Sequence, residues 1–262
     1  MRSVLLECRH LTFQRGKSSP ILLKGLDLSF SSRELVGIFG VNGAGKTTLL
    51  RVLGGMIKPT QGQVLLSNKD MKECLLSEIS RHIAYVPQMQ RHYFPYSARR
   101  MIELGRVPHS GLLARISTED EDIVQSVITR LGLESVSQKM MMELSGGERQ
   151  KVIFARALVQ NTPILLLDEP MSGLDYGAQY QFLNLLAELM NEGRLIIMTS
   201  HRPEELLPYG TRALILEQGI IRADGDVRSV LTAENLSHLY NIPMQHIDHG
   251  KNRLFYYQDF QK

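Results

Sequence analysis

Gly40-Val41-Asn42-Gly43-Ala44-Gly45-Lys46-Thr47 has the spacing G-x-x-x-x-G-K-[S/T] of a loop that wraps phosphates. The run Glu34-Leu35-Val36-Gly37-Ile38-Phe39 before it is short and apolar, as a buried strand is. The segment after Lys46, Thr47-Thr48-Leu49-Leu50-Arg51-Val52-Leu53, is helix-like and stops at Gly54-Gly55. Strand, glycine loop and helix follow one another as the pattern requires. Glycines let main-chain N–H groups turn inward, and the new helix aims its positive end at the same point. Gly40, Asn42, Gly43, Ala44, Gly45 and Thr48 therefore read as the cradle of a nucleotide triphosphate. Lys46 would lie against the β- and γ-phosphates, and the Thr47 hydroxyl would hold Mg²⁺.

Outward from this loop, residues 4–13 and 21–30 alternate as strands of an antiparallel edge sheet. A second apolar strand, 83–86, ends at Pro87, and from Gln88 to about Gln160 the chain turns Met- and Arg-rich and reads as several helices. In that stretch Thr118 and Glu121 have capping-box spacing for a helix reaching Leu131, with Gly132 at its end. Buried strands return at 164–167, 195–199 and 213–216, with an amphipathic helix over about 177–190. Strands alternating with helices predict a parallel sheet covered on both faces. The expected fold is α/β: a P-loop NTPase core with a mostly parallel sheet, an antiparallel edge subdomain and an inserted α-helical subdomain. Residues 1–88 and 161–230 form the core in this reading, 89–160 the helical insert, and 231–262 a short helix with a polar tail.

Composition narrows the function classes. The 262 residues carry 30 Lys+Arg against 27 Asp+Glu, a net charge of +3, too little to neutralise the backbone of a wrapped nucleic acid. A 43% hydrophobic content with 22% charged residues describes a packed globule. Cys8 and Cys74 cannot make a disulfide framework and fit a reducing compartment. No apolar run approaches the roughly 20 residues that cross a bilayer. The opening, Met1-Arg2-Ser3 through Glu7, Arg9 and His10, lacks the apolar stretch of a signal peptide.

Four further residues point to phosphate chemistry. Ile164-Leu165-Leu166-Leu167-Asp168-Glu169 puts two carboxylates at the carboxyl end of a buried strand, where ligands of open α/β sheets bind. Asp168 would take Mg²⁺ and Glu169 would polarise the attacking water, a division of labour that needs the metal's charge beside one of them. His201 follows the strand 195–199 and could donate to the γ-phosphate. Gln88 closes the strand before the insert, where a neutral amide could touch Mg²⁺ or water.

Leu144-Ser145-Gly146-Gly147-Glu148-Arg149-Gln150 opens a helix, and Ser145 and Glu148 have S-x-x-E spacing, so hydroxyl, glycine amides and helix dipole face outward together. With this segment the sequence resembles the ATP-binding cassette (ABC) ATPases over nearly its whole length. The phosphate loop at 40–47, Gln88, the LSGGE segment, the acidic strand end, Ser172-Gly173-Leu174-Asp175 and His201 all stand in the family's order. The resemblance implies a head-to-tail homodimer. Each ATP, with Mg²⁺, would be held by Gly43–Thr48 of one copy and Ser145, Gly146 and Gly147 of the other, and Asp175 would couple the two sites. There are two departures from the family pattern. The position of a base-stacking tyrosine is taken by Arg15, whose guanidinium plane can stack for about 0.5–1 kcal/mol. Arg202-Pro203 stands where an Asp usually follows the histidine.

Phe94-Pro95-Tyr96-Ser97, Leu104-Gly105-Arg106-Val107-Pro108-His109, Leu231-Thr232-Ala233-Glu234-Asn235-Leu236 and Tyr240 look like the bacterial importers of iron chelates, haem and cobalamin. Oxyanion importers, such as molybdate systems, share that architecture. The class implies transmembrane permease subunits, a substrate-binding protein reached indirectly through them, no nucleic acid, and a peripheral place on the cytoplasmic face of the inner membrane. Gln90-Arg91-His92-Tyr93-Phe94, just after Gln88, would sit on the face gripping the permease. Two other readings compete. A soluble mechanical cassette would normally bring coiled coils, tandem cassettes or zinc modules. A GTPase would need an NKxD motif, which Asn68-Lys69-Asp70-Met71 begins without its final Asp. The His246-Ile247-Asp248-His249 cluster could hold a metal but reads better as a solvated tail.

Overall fold

The computed structural model describes residues 3–16, 18–88, 95–110, 116–250 and 252–257, so the segment 90–94 lies outside the described residues. Strand β1 (Val4–Gln14), β2 (Ile21–Ser31) and β3 (Leu35–Phe39) lead into the phosphate loop and helix α1 (Lys46–Leu53). Then come β4 (Gln61–Leu66), β5 (Lys69–Asp70), α2 (Leu76–His82), β6 (Ile83–Val86) and the short helices α3 (Ala98–Glu103) and α4 (Val107–Ser110). Helices α5 (Thr118–Arg130) and α6 (Gly146–Val159) precede β7 (Ile164–Leu167), α7 (Tyr176–Asn191), β8 (Leu195–Thr199) and α8 (Pro203–Leu206). The chain continues through β9 (Arg212–Glu217), β10 (Ile220–Asp226), α9 (Val227–Val230), α10 (Ala233–Tyr240), β11 (Met244–His249) and β12 (Asn252–Tyr257).

The central sheet has the order β10-β9-β3-β8-β7-β6, with β9, β3, β8, β7 and β6 parallel and β10 antiparallel at the edge. A separate antiparallel sheet, β2-β1-β4-β5, lies beside it. The two-residue period of a strand explains why β7 is apolar throughout. Leu165 and Leu167 face a core shared with Phe182, Leu186 and Leu189 of α7, and Ile164 and Leu166 face a second core with Leu49, Leu50 and Leu53 of α1 and Leu6, Leu26 and Phe30 of the antiparallel sheet. Both faces are dry, so no polar residue is tolerated before the strand end.

Ala98, Met101, Ile102, Val124, Ile128, Met141, Val152 and Ala155 form a third core within the helical region. Phe154 of α6 meets Phe182 of α7 edge-on, ring centroids 4.6 Å apart, joining this region to the first core. Gly105 lets the turn between α3 and α4 lie against α6, because a Cβ there would collide with the Arg156 carbonyl. The buried Arg106 of that turn donates to Asp120 at 2.6 Å and to the Val159 carbonyl at 2.7 Å, tying α5 and α6 together.

Two local expectations are corrected. The cap of α5 is Ser117, whose hydroxyl accepts the Asp120 N–H at 3.1 Å; Thr118 is already the first helical residue. The helix does end before Gly132, which has φ +63°. The polar tail after α10 is a hairpin, β11–β12, with Met244 and Phe255 packed against the first core and Asp248 paired to Arg253 at 2.7 Å. Arg253 also donates to the carbonyls of Arg228 and Leu231, so the hairpin is clamped to the core through a polar side chain that apolar patterning does not register. His246 and Asp248 therefore belong to a strand pair, and no His/Cys/Asp/Glu cluster able to hold a metal occurs among the described residues. Finally, Ser67 and Asn68 (φ +47° and +68°) make the two-residue turn between β4 and β5, which accounts for the Asn-Lys-Asp run.

The cap correction is testable. Ser117→Ala is expected to cost about 1 kcal/mol in denaturant unfolding, with Thr118→Ala close to neutral. Equal losses would return the cap to Thr118.

Candidate functional site

The phosphate loop takes its shape from two left-handed glycines, Gly43 (φ +81°) and Gly45 (φ +106°). Gly40 is required for a different reason: a Cβ there would stand 2.5 Å from the Leu216 carbonyl oxygen of the neighbouring strand β9. Asn42, Gly43, Gly45, Lys46, Thr47 and Thr48 line one wall of a cleft of about 710 Å³. Gln88, Glu169 and His201 line it from the carboxyl ends of β6, β7 and β8, and Arg15, exposed, lines it with Pro20 and Leu22. Gly40 and Ala44 lie beneath the surface, and Ala44 packs into the second core.

Lys46 is buried at 6% exposure, and its ammonium donates to the carbonyls of Gly40 at 2.8 Å and Val41 at 3.2 Å. Burial lowers its pKa, and the negative charges of Glu169 and Asp168 oppose that shift. A buried cation beside a glycine-rich loop, at a helix N-terminus, is an arrangement that favours anions.

Asp168, 1% exposed, is surrounded by hydroxyls. Its Oδ1 accepts from Thr47 Oγ1 at 3.1 Å and Thr199 Oγ1 at 2.8 Å, and its Oδ2 accepts from the Tyr85 hydroxyl at 3.2 Å. Glu169 next to it has φ +46°, an uncommon conformation for a side-chain-bearing residue, which turns its carboxylate out of the strand and into the cleft. Its backbone N–H donates to Thr199 Oγ1 at 2.8 Å. Its Oε2 accepts from Gln88 Nε2 at 2.8 Å and its Oε1 lies 2.6 Å from His201 Nε2. Gln88, Glu169 and His201 are thus one connected group facing Lys46 and Thr47 across the cleft.

Ser145, Gly146, Gly147 and Asp175 are not in this cleft. Ser145 caps α6 with a reciprocal pair of bonds: its hydroxyl accepts the Glu148 N–H at 3.2 Å and its own N–H donates to Glu148 Oε2 at 2.7 Å. That backbone hydrogen bond, with the Ser145 hydroxyl, holds the Glu148 carboxyl below its usual range. Asp175 caps α7 by accepting the Ala178 N–H at 2.8 Å. Both residues are exposed.

Three side chains matter that sequence reading missed. Thr199 touches Asp168 and the Glu169 amide at once, and Tyr85 is the third donor to Asp168. Buried Gln150 donates to the Pro170 carbonyl at 3.0 Å, linking α6 to the loop after Glu169. A hydroxyl inside an otherwise apolar strand, as at Thr199 and Tyr85, is the signal that could have exposed the first two.

Comparison with known proteins agrees with this geometry. The family model described as ABC transporter matches residues 23–172. The petrobactin import ATP-binding protein FpuC of Bacillus anthracis is 33% identical, over 89% of this chain and 86% of that protein. The hemin import ATP-binding protein HmuV of Nocardia farcinica is 33% identical over 94% and 86%. A solved chain of a transporter described as metal-chelate type, in an inward-facing conformation, superposes with a TM-score of 0.82 at 27% identity, covering 98% of this chain and 97% of that one. A glycine loop, a hydroxyl-ringed Asp, a cleft-facing Glu and a serine-capped helix, on a chain matched along most of its length, make this protein a member of the ABC transporter family, in the class of its ATP-binding subunits.

Proposed function

We propose that this chain is the ATP-hydrolysing subunit of a bacterial importer for a metal chelate of the iron-siderophore, haem or cobalamin type. The observation that carries the catalytic part is the Glu169 carboxylate bridged by Gln88 and His201 above the phosphate loop. The import ATP-binding relatives support the transport part.

Lys46 and the loop amides hold the β- and γ-phosphates, and Arg15 stacks on the base. Thr47 Oγ1, an oxygen of Asp168 and the Gln88 amide oxygen are all hard oxygen donors, the class that suits Mg²⁺. Bound there, Mg²⁺ would neutralise charge on the phosphates. Glu169 accepts the proton of the attacking water as the bond to the γ-phosphorus forms and ADP leaves. His201 holds Glu169 through Nε2 before ATP binds, and that N–H then turns to donate to the γ-phosphate.

One copy supplies only half of the site in this reading. The exposed Ser145 hydroxyl can turn its proton from Glu148 to an incoming phosphate, and the amides of Gly146 and Gly147, in the first turn of α6, have no intrahelical acceptor. These donors close over the γ-phosphate of a second copy, head to tail, with Asp175 between the two sites. The γ-phosphate then joins two positive helix ends, and its release lets the copies part, which is how turnover drives a permease. No helix among the described residues is long and apolar enough to cross a membrane. By likeness to the import ATP-binding relatives, the chain would act at the cytoplasmic face of the inner membrane through permease subunits, which a substrate-binding protein loads from the other side.

Glu169→Gln is expected to lower phosphate release at least about 10²-fold while leaving ATP binding intact, and to trap an ATP-dependent dimer on gel filtration. Unimpaired turnover would remove Glu169 as the base. Thr199→Val, which removes the hydroxyl from the Asp168 carboxylate and the Glu169 backbone N–H at once, should lower turnover about tenfold with folding retained, a loss of about 1.4 kcal/mol of transition-state stabilisation. Turnover equal to the parent would make Thr199 a packing residue. Affinity capture from detergent extract should recover a multi-span membrane protein; recovery of soluble partners alone would favour a mechanical cassette.

A further inference from the structure

Among the described residues His201 makes two hydrogen bonds. One joins its Nε2 to Glu169. In the other its main-chain carbonyl accepts from the hydroxyl of Tyr240, 39 residues later, at 3.3 Å. Before His201 the chain is held to β3, the Ser200 N–H donating to the Ile38 carbonyl at 3.3 Å; after it the turn is braced locally. The Arg202 N–H donates to Ser200 Oγ at 2.9 Å, and that hydroxyl donates to Glu205 at 3.1 Å.

The Tyr240 end of the bond is well anchored. Tyr240 closes α10, a helix capped by Thr232, which accepts the Asn235 N–H at 3.2 Å, and seated in the first core by Leu236 and Leu239. The ring of Tyr240 packs against the same core, and β12 packs on α8, the helix that follows His201. Burial pushes the Tyr240 hydroxyl up to about 12, with the negative charge of Glu204 adding to the shift, so it remains a protonated donor at any physiological pH.

We infer that Tyr240 is a positioning residue: its hydroxyl pins the main chain of His201 so that Nε2 meets Glu169 inside the cleft. The inference rests on the reading that His201 acts in ATP turnover. An imidazole at the end of a short exposed turn has rotational freedom that a fixed carbonyl reduces, and small displacements of a catalytic group are costly in rate. The unit formed by α10 and the hairpin is thereby joined mechanically to the hydrolytic centre.

Tyr240→Phe keeps the ring and removes only the hydroxyl. The expected result is a fall in kcat for ATP of about five- to tenfold, with KM for ATP changed less than about twofold and the thermal midpoint within about 2 °C of the parent. Placed on His201→Ala, the same substitution should have no further effect, because the group it positions is gone. If Tyr240→Phe turns over like the parent while His201→Ala is impaired, the inference fails and the reading of His201 stands. If His201→Ala retains full turnover, that reading fails and takes the inference with it. An equal loss in both backgrounds, or loss of the cooperative unfolding transition in Tyr240→Phe, makes the hydroxyl structural and overturns the proposal.

Discussion

The site depends on a carboxylate that water does not reach. Asp168 is 1% exposed and is satisfied by hydroxyls from three different elements: Thr47 at the start of α1, Tyr85 on β6 and Thr199 at the end of β8. An isolated buried carboxylate is costly, and neutral hydroxyl donors stabilise its charge without cancelling it. The phosphate loop, the strand before Gln88 and the strand that leads to His201 are therefore linked to one another through one negative charge, on top of the backbone ladders that set the strand register. Loss of any donor leaves a buried acceptor short of a partner and loosens the element that carried it.

The neighbouring carboxylate is treated differently by the same scaffold. Glu169 is turned out of β7 by its left-handed backbone, and the strain is met by the bond from its amide to Thr199. Thr199 thus separates two adjacent acids, donating to the one kept inside and accepting from the backbone of the one sent into the cleft. Gln88 and His201 complete the second acid's surroundings from either side. That arrangement gives two acids that share a peptide bond different settings, one buried among hydroxyls and one open to the cleft.

The strands of the central sheet were legible because burial on both faces leaves an unbroken apolar run with polar punctuation, as in 164–167 followed by Asp168. The core site residues were legible for a related reason: glycines at fixed offsets before a lysine, and acids at the end of an apolar strand, have few other physical uses. Among the edge elements, β1 and β2 were legible from their alternation, but β10 and β5 were not. Strand β10 alternates between half-buried and exposed positions and β5 is only two residues long, so neither produces a distinctive pattern. The β11–β12 hairpin read as a polar tail because its attachment runs through Arg253, whose guanidinium binds two carbonyls and Asp248.

The sequence by itself determined the phosphate loop, the acidic strand end, the serine-capped helix and their order, because each is a local arrangement fixed by residue type and spacing. Only the tertiary structure decided which side chains meet around Asp168, that Gln88 and His201 share Glu169, and that Ser145 and Asp175 lie outside their own chain's cleft. Those relations join residues dozens of positions apart, and they come from strand order and the direction of chain crossovers, which local spacing does not encode.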